Sequence, residues 1–215
     1  IKVVGEAIGN MFPARISAGT RTFPQLGFNR LIIRKDGKAR ESWIGDEHYN
    51  VENPERIPFG PVDPEVGVIK VEDMQGNARA IVMSYAMHAD LGCFSYEISA
   101  DYPGYACRKV DEAFGNKAVC LFVAGGGGNV EGLMISRRRS GPNDPIKTDY
   151  KPIQRTGELL GIEVIKLANA LHASGDNTSF KMRTDSLQFS TRADKNRKVN
   201  VHIATFLIND FAIAV

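Results

Sequence analysis

A run of seven apolar residues at positions 118–124 leads directly into four consecutive glycines at 125–128. A continuous apolar run of this length is typical of a strand that is buried on both faces of a parallel sheet. A β-rich run lies upstream at 78–85, and apolar residues recur at helical spacing between Ala106 and Phe114. Strand, helix and strand in this order predict a right-handed βαβ unit at about 78–124. The chain is therefore expected to be an α/β protein with a mixed, partly parallel β-sheet flanked by helices.

The first third of the chain gives weaker signals. Residues 1–12 indicate the end of a helix that Pro13 closes. The stretch that follows, to about residue 64, is rich in proline and glycine and is expected to be a long loop. A β-hairpin is predicted between the runs at 66–71 and 78–85, because a turn that contains glycine separates them.

The last third predicts a helix and a group of strands. The helix is expected at about 152–172, where apolar residues line one face. The strands are expected near 180–190, 198–208 and 210–215. No repeat or domain boundary is visible, so residues 1–215 are interpreted as part of a single domain. The sequence begins without Met and stops within an apolar run, and we expect it to be truncated at both ends.

Charge and composition exclude several classes of protein. The 27 Lys and Arg residues nearly balance the 25 Asp and Glu residues, and a net charge of +2 argues against nucleic-acid binding driven by charge. No apolar run approaches the roughly 18 residues of a membrane-spanning helix. The three cysteines show no CxxC spacing. Cys120 is expected in the core, and a disulfide between Cys93 and Cys107 is left open.

Two segments that can carry chemistry follow the two parallel strands of the βαβ unit. His88 follows the first strand, and the glycine run followed by Asn129 ends the second. Parallel strands end at the same edge of a sheet, where open α/β proteins bind ligands, so we expect the two segments to be neighbours. His88 is either a metal ligand or a structural residue, and the glycines either admit a ligand or only form a tight turn. Neither GxxxxGK[ST] nor GxGxxG is present, which argues against nucleotide binding.

Asp101 lies between the histidine segment and the crossover helix, and two roles are open for it. As a helix cap, Asp101 accepts a backbone N–H of the first turn, with Pro103 at a position where a missing N–H costs nothing. As an acceptor for the second ring N–H of His88, Asp101 fixes the tautomer of a metal-binding imidazole. Asn caps a helix about as well as Asp but carries no negative charge, so substitution distinguishes the two roles.

Several short strings occur in a fixed order along the chain. They are Phe28-Asn29-Arg30, Asn53-Pro54-Glu55, DPEVGV at 63–68, SYAMH at 84–88, ISADYPGYA at 98–106 and the strand that enters the glycine run. Together these strings resemble the neutral/alkaline non-lysosomal ceramidase family, over about residues 1–172 and more loosely to 215. The resemblance implies a catalytic domain that binds one zinc ion, which activates a water molecule to hydrolyse the amide of ceramide.

The resemblance also implies roles for individual residues. His88 matches a zinc-binding histidine of the family, and Arg30 matches the arginine of an Asn-Arg motif in the active-site region. The remaining zinc ligands, a histidine, a glutamate and a tyrosine, are expected outside residues 1–215. If the site is intact, backbone N–H groups of the glycine run are expected to contact the oxyanion of the reaction. These groups belong to Gly126, Gly127, Gly128 and Asn129.

The glycine run departs from the family pattern. Ceramidases carry Ser-Asn-x-Gly-Asp here, and this chain has Gly125 and Asn129 in place of the serine and the aspartate. The resemblance therefore implies a zinc-dependent hydrolase that cleaves the N-acyl bond of a ceramide-like lipid or a related small amide by metal-activated water. The missing serine motif motivates the alternative, a non-catalytic binding module that kept the fold and lost the chemistry. The resemblance further implies a secreted or periplasmic protein.

Overall fold

The computed structural model describes residues 2–42, 53–92, 97–134, 137–138, 147–173, 179–191, 193–209 and 211–214. The chain divides into two compact units, Ile1–His172 and Ala173–Val215. The helices of the described residues lie in the first unit, and they are α1 (Lys2–Gly9), α2 (Asp101–Ala113) and α3 (Tyr150–Ala170). That both units belong to one ceramidase-like catalytic domain stays a prediction.

The strands are numbered in chain order. Those of the first unit are β1 (Ala14–Thr22), β2 (Gly27–Asn29), β3 (Leu31–Ile33), β4 (Ala39–Glu41), β5 (Glu65–Asp73), β6 (Ala78–Tyr85), β7 (Val119–Ala124), β8 (Val130–Gly132), β9 (Arg137–Arg138) and β10 (Lys147–Thr148). Those of the second unit are β11 (Phe180–Ser190), β12 (Lys198–Ile208) and β13 (Phe211–Ala214).

The first unit is built on a four-stranded sheet with the order β1-β5-β6-β7. The pairs β1–β5 and β5–β6 are antiparallel, whereas β6 and β7 are parallel and connected through α2. The predicted hairpin and the predicted strand, helix and parallel strand are therefore confirmed, while the right-handed sense of the crossover stays a prediction. The fold is α/β with a mixed sheet, as the sequence indicates.

Helices α2 and α3 pack on one face of this sheet. Alternate residues of the central strands point towards the helices, and Val66, Val68, Ile81 and Met83 are buried there. The apolar stripe of α3 recurs at helical spacing and is also buried, at Ile153, Leu160, Val164 and Ala168. The core of the unit thus lies between the sheet and these two helices.

The burial of β7 contradicts the sequence-based expectation. Cys120 is 7% exposed, but Val119, Leu121 and Val123 on the opposite side of the strand are 61%, 53% and 49% exposed. The prediction that this strand is buried on both faces is therefore wrong. An apolar run indicates a strand, but only the layer packing decides whether one face or both are covered.

The proline- and glycine-rich stretch to residue 64 is not one long loop, and that prediction is also wrong. It contains β1, which pairs with β5 along its whole length, from Ala14 opposite Asp73 to Thr22 opposite Glu65. It also contains β2, which pairs with β8, and the hairpin of β3 and β4. Ser17 is the one buried residue of β1, and the mostly polar or small residues of this strand show no apolar alternation that a sequence pattern would detect.

The remaining predicted elements are confirmed. Helix α1 ends before Pro13, and α3 covers the helix predicted at about 152–172. In the second unit, β11, β12 and β13 form an antiparallel sheet in that order, at the positions where three strands are predicted. No helix in the described part of the chain is both long enough and apolar enough to cross a membrane.

Candidate functional site

The carboxyl edge of β6 and β7 brings the histidine segment and the glycine run together. The Gly125 N–H donates to the carbonyl oxygen of Tyr85 at 3.0 Å, which continues the parallel pairing past the end of β7. The backbone N–H of His88 donates to the carbonyl oxygen of Val130 at 2.9 Å. His88 is therefore a direct neighbour of the segment that follows the glycine run, as the topology of a βαβ unit predicts.

Gly127 lies directly against the backbone that precedes His88. A Cβ atom at Gly127 would stand 2.6 Å from the Met87 nitrogen and 2.9 Å from the Ala86 carbonyl carbon. A Cβ atom at Gly126 or Gly128 would meet nothing within 4 Å. The approach at Gly127 is the tightest in the run. A Cβ atom at Gly125 would also be crowded, 3.1 Å from the Ala86 Cβ, whereas space is open at Gly126 and Gly128.

The glycine run forms a tight turn with its own hydrogen bonds. The Gly127 N–H donates to the Gly125 carbonyl at 2.7 Å, and the Val130 N–H donates to the Gly127 carbonyl at 2.8 Å. The Gly127 N–H is therefore engaged within the turn. The predicted contact with an oxyanion stays a prediction, and it now rests on the N–H groups of Gly126, Gly128 and Asn129.

Helix α2 fixes the histidine segment from the other side. The Tyr102 hydroxyl donates to the carbonyl oxygen of Met87 at 2.8 Å. Tyr102 is fully buried, and this burial raises the pKa of its phenol well above the usual value. A buried phenol that stays protonated is a constant donor, so Tyr102 anchors the residue that immediately precedes His88.

Asp101 links the start of α2 to the segment that follows His88. Its Oδ1 accepts the Tyr102 N–H at 2.8 Å, and its Oδ2 accepts the Gly92 N–H at 2.9 Å. The N-cap position of α2 belongs to Ala100, and Asp101 is the first helical residue, with a φ of 50°. Asp101 therefore holds one N–H of the first turn without occupying the cap position. Its predicted action on the His88 ring stays a prediction.

Arg30 is brought to the same edge by the pairing of β2 with β8. Its backbone N–H donates to the Asn129 carbonyl at 2.9 Å, so it lies beside the end of the glycine run. Its guanidinium forms an ion pair with Glu131 through Nη1, and its Nε lies 3.4 Å from Oε1 of Glu41. The side chains of Arg30 and Glu131 are only 18% and 6% exposed. Removing one partner of a buried ion pair destabilises a protein more than removing one partner of a surface pair, because it leaves an uncompensated buried charge.

Glu131 also interacts with the histidine segment. Burial raises the pKa of the Glu131 carboxyl, and the Asp90 carboxyl acts in the same direction through its charge and a hydrogen bond. The charges of Arg30 and His88 oppose this shift without cancelling it. Arg30, His88, Asp90 and Glu131 thus form one electrostatically coupled group, which we call the edge cluster. Glu131 and Asp90 were not predicted as site residues, although they follow the predicted strands β7 and β6, respectively.

The edge cluster does not by itself make a complete metal centre. Within the described ranges, no group of three or more His, Cys, Asp or Glu side chains is arranged to hold a metal ion. His88 offers one imidazole, a ligand type that suits Zn²⁺, but a catalytic zinc site uses about three protein ligands. The described residues therefore offer one candidate ligand, and the predicted role of His88 as a metal ligand stays a prediction.

Comparison with solved structures identifies ceramidases. Neutral ceramidase from Pseudomonas aeruginosa matches with a TM-score of 0.61 and 11% identity, over 99% of this chain and 41% of that chain. A ceramidase complexed with C2 matches with a TM-score of 0.55 and 14% identity, over 91% of this chain and 29% of that chain. This chain thus spans less than half the length of either protein. No family model and no curated protein sequence matches it. At these identities the likeness shows a ceramidase-like fold.

Proposed function

We propose that this chain is part of a zinc-dependent hydrolase that cleaves the N-acyl bond of a ceramide-like lipid or a related small amide. The ceramidase-like fold supports the proposal, and so does the position of the edge cluster at the carboxyl ends of parallel strands. The observation that carries it is the 2.9 Å hydrogen bond from His88 to Val130, which joins the histidine segment to the end of the glycine run. An imidazole, a guanidinium and two carboxyl groups converge there.

Each group has a role that its surroundings support. His88 would be one ligand of the zinc ion, which when bound supplies a water molecule acidic enough to ionise near neutral pH. Arg30, which Glu131 and Glu41 hold in place, would present positive charge to the substrate oxygen. The N–H groups of Gly126, Gly128 and Asn129 would donate to the carbonyl oxygen as negative charge develops on it. Tyr102 and Asp101 would act as positioning residues for the histidine segment.

The experiment uses the full-length protein and measures its zinc content together with hydrolysis of an N-acylsphingosine. We expect His88→Ala to lower both zinc content and hydrolysis. His172→Ala is the matched control, because His172 is exposed at the end of the first unit, and both quantities should stay at the wild-type level. Wild-type protein that contains far less than one zinc per chain, together with full activity in His88→Ala, would contradict the proposal.

The second candidate is a binding module that retains an N-acyl lipid without cleaving it. The observation that favours it is the glycine run itself, in which Gly125 and Asn129 replace the serine and aspartate of the ceramidase pattern. The same preparations distinguish the two functions. Saturable binding to vesicles that contain ceramide, without any release of fatty acid, would establish the module.

We also propose export of the protein, which fractionation of the producing cell would test.

A further inference from the structure

Helix α2 and strand β7 present two cysteines to each other on the side of the sheet that forms the core. Cys107 is half-buried on α2, Cys120 is buried on β7, and the two thiols share a hydrogen bond. Both residues belong to the packed interior of the unit. This pairing differs from the disulfide between Cys93 and Cys107 that the sequence left open, and Cys93 lies outside the described residues.

A second contact fixes the same turn of the helix against the same strand residue. Oδ1 of Asp111 accepts the backbone N–H of Cys120 at 2.7 Å. Cys107 and Asp111 are four residues apart on α2, so they lie on one face of the helix. The contact between the two thiols is therefore part of how α2 docks on β7.

We propose that Cys107 and Cys120 are a redox-active pair that closes to an intramolecular disulfide when the protein meets a peroxide. Closure requires the two sulfur atoms to move from hydrogen-bond contact to a separation of about 2.05 Å. The bond would link the middle of α2 to the start of β7. It would thereby clamp the crossover of the βαβ unit, whose second strand leads into the glycine run.

The surroundings indicate which thiol reacts first. The hydrogen bond donated by the Cys120 thiol lowers the pKa of Cys107, against the opposing effects of burial and Asp111. The same hydrogen bond raises the pKa of Cys120, and burial raises it further. The thiolate is the reactive form of cysteine, so Cys107 is the attacking group and Cys120 the resolving group.

The two steps balance as follows. The Cys107 thiolate attacks one oxygen of hydrogen peroxide, the O–O bond breaks, and a sulfenic acid and hydroxide result. The Cys120 sulfur then attacks the Cys107 sulfur, so that an S–S bond forms and the S–O bond breaks. The departing hydroxide takes up the Cys120 proton as water. In sum, two thiols and one hydrogen peroxide give one disulfide and two waters.

The test treats reduced full-length protein with hydrogen peroxide and maps its peptides without reduction. We expect a crosslink between the peptides of Cys107 and Cys120, in wild type and equally in Cys93→Ala. Oxidation should raise the Tm by about 5 °C or more, since the bond restricts the unfolded chain and thereby favours the folded state. Cys107→Ala is the matched control, and its Tm should not rise on oxidation. It removes a half-buried thiol and leaves the buried Cys120 in place.

Two outcomes would overturn the proposal. One is a crosslink that joins Cys93 to Cys107 in wild type and is lost in Cys93→Ala. The other is oxidised Cys93→Ala protein in which Cys107 is over-oxidised while Cys120 remains a free thiol. Either result would show that the contact between helix and strand is packing alone.

Discussion

Replacing Gly127 by alanine tests how closely the glycine run approaches the histidine segment. The new Cβ atom would stand 2.6 Å from the Met87 nitrogen, 2.9 Å from the Ala86 carbonyl carbon and 3.0 Å from the Met87 Cα. Ordinary contact begins at 3.4 Å, so the shortest of these distances must grow by 0.8 Å. All three neighbouring atoms belong to the backbone and have no rotamer to change. The substitution must therefore separate the two segments.

The expected cost follows from this geometry. Overpacking in a well-packed site typically costs about 1–3 kcal/mol, and we place Gly127→Ala at the upper end because backbone must move. The φ of Gly127 lies outside the left-handed region, so steric contact is the only source of strain. The same movement would displace His88, and we expect hydrolysis or ligand binding to fall together with stability.

The assay is urea unfolding of the full-length protein, with Gly126→Ala and Gly128→Ala as matched controls. Neither control places a Cβ atom within 4 Å of another group, so their free energies of unfolding should lie within about 0.5 kcal/mol of wild type. A Gly127→Ala protein as stable as these two controls would refute the close approach. It would also remove the packing argument for the candidate site.

Substitutions at three further residues test contacts around the core. Lys70→Met should lower the free energy of unfolding by about 2 kcal/mol, because the buried Lys70 ammonium donates to the Leu171 carbonyl oxygen, just after α3, at 2.5 Å. Urea unfolding measures this loss, and an unchanged free energy of unfolding would contradict the prediction. Burial raises the pKa of Tyr85 to about 12, so the folded protein holds the phenol proton more tightly than the unfolded chain. Stability is then lost as pH rises above 10, by about 1 kcal/mol between pH 9 and 11 from this group alone. Between pH 9 and 11, Tyr85→Phe should lose less free energy of unfolding than wild type by this amount. Equal losses in the two proteins would exclude the raised pKa of Tyr85. Asp101→Asn should cost about 1 kcal/mol, because only one of its two acceptors remains, and Asp101→Ala should cost more in the same unfolding assay. Wild-type stability of Asp101→Asn would show that one of these two hydrogen bonds is dispensable.

The parts of the fold that the sequence predicts are those that local periodicity encodes. Strands β6 and β7 and the intervening α2 each show their own pattern, and their order determines which edge of the sheet carries His88 and the glycine run. Local signals and one topological rule are therefore enough to predict that these two segments lie side by side. The position of strand β1 does not follow from local signals, because its residues are mostly polar or small. Its place in the sheet depends on pairing with β5, more than 40 residues later.

The pairing of Glu131 with Arg30 could not be predicted from local signals for a related reason. Arg30 entered the prediction only through the family resemblance, and Glu131 did not enter it. Glu131 lies in the three-residue strand β8, and its partner Arg30 is 101 residues away. So short a strand carries no periodic signal, and the two residues meet only because β2 pairs with β8. Physical chemistry does supply a clue, since a carboxylate among apolar residues next to a strand end must find a compensating charge if it is buried. That argument predicts that Glu131 has a partner, but choosing Arg30 among the 27 basic residues requires the topology of the sheet. A search for acidic residues within a few positions of the predicted carboxyl edge would have selected both Asp90 and Glu131.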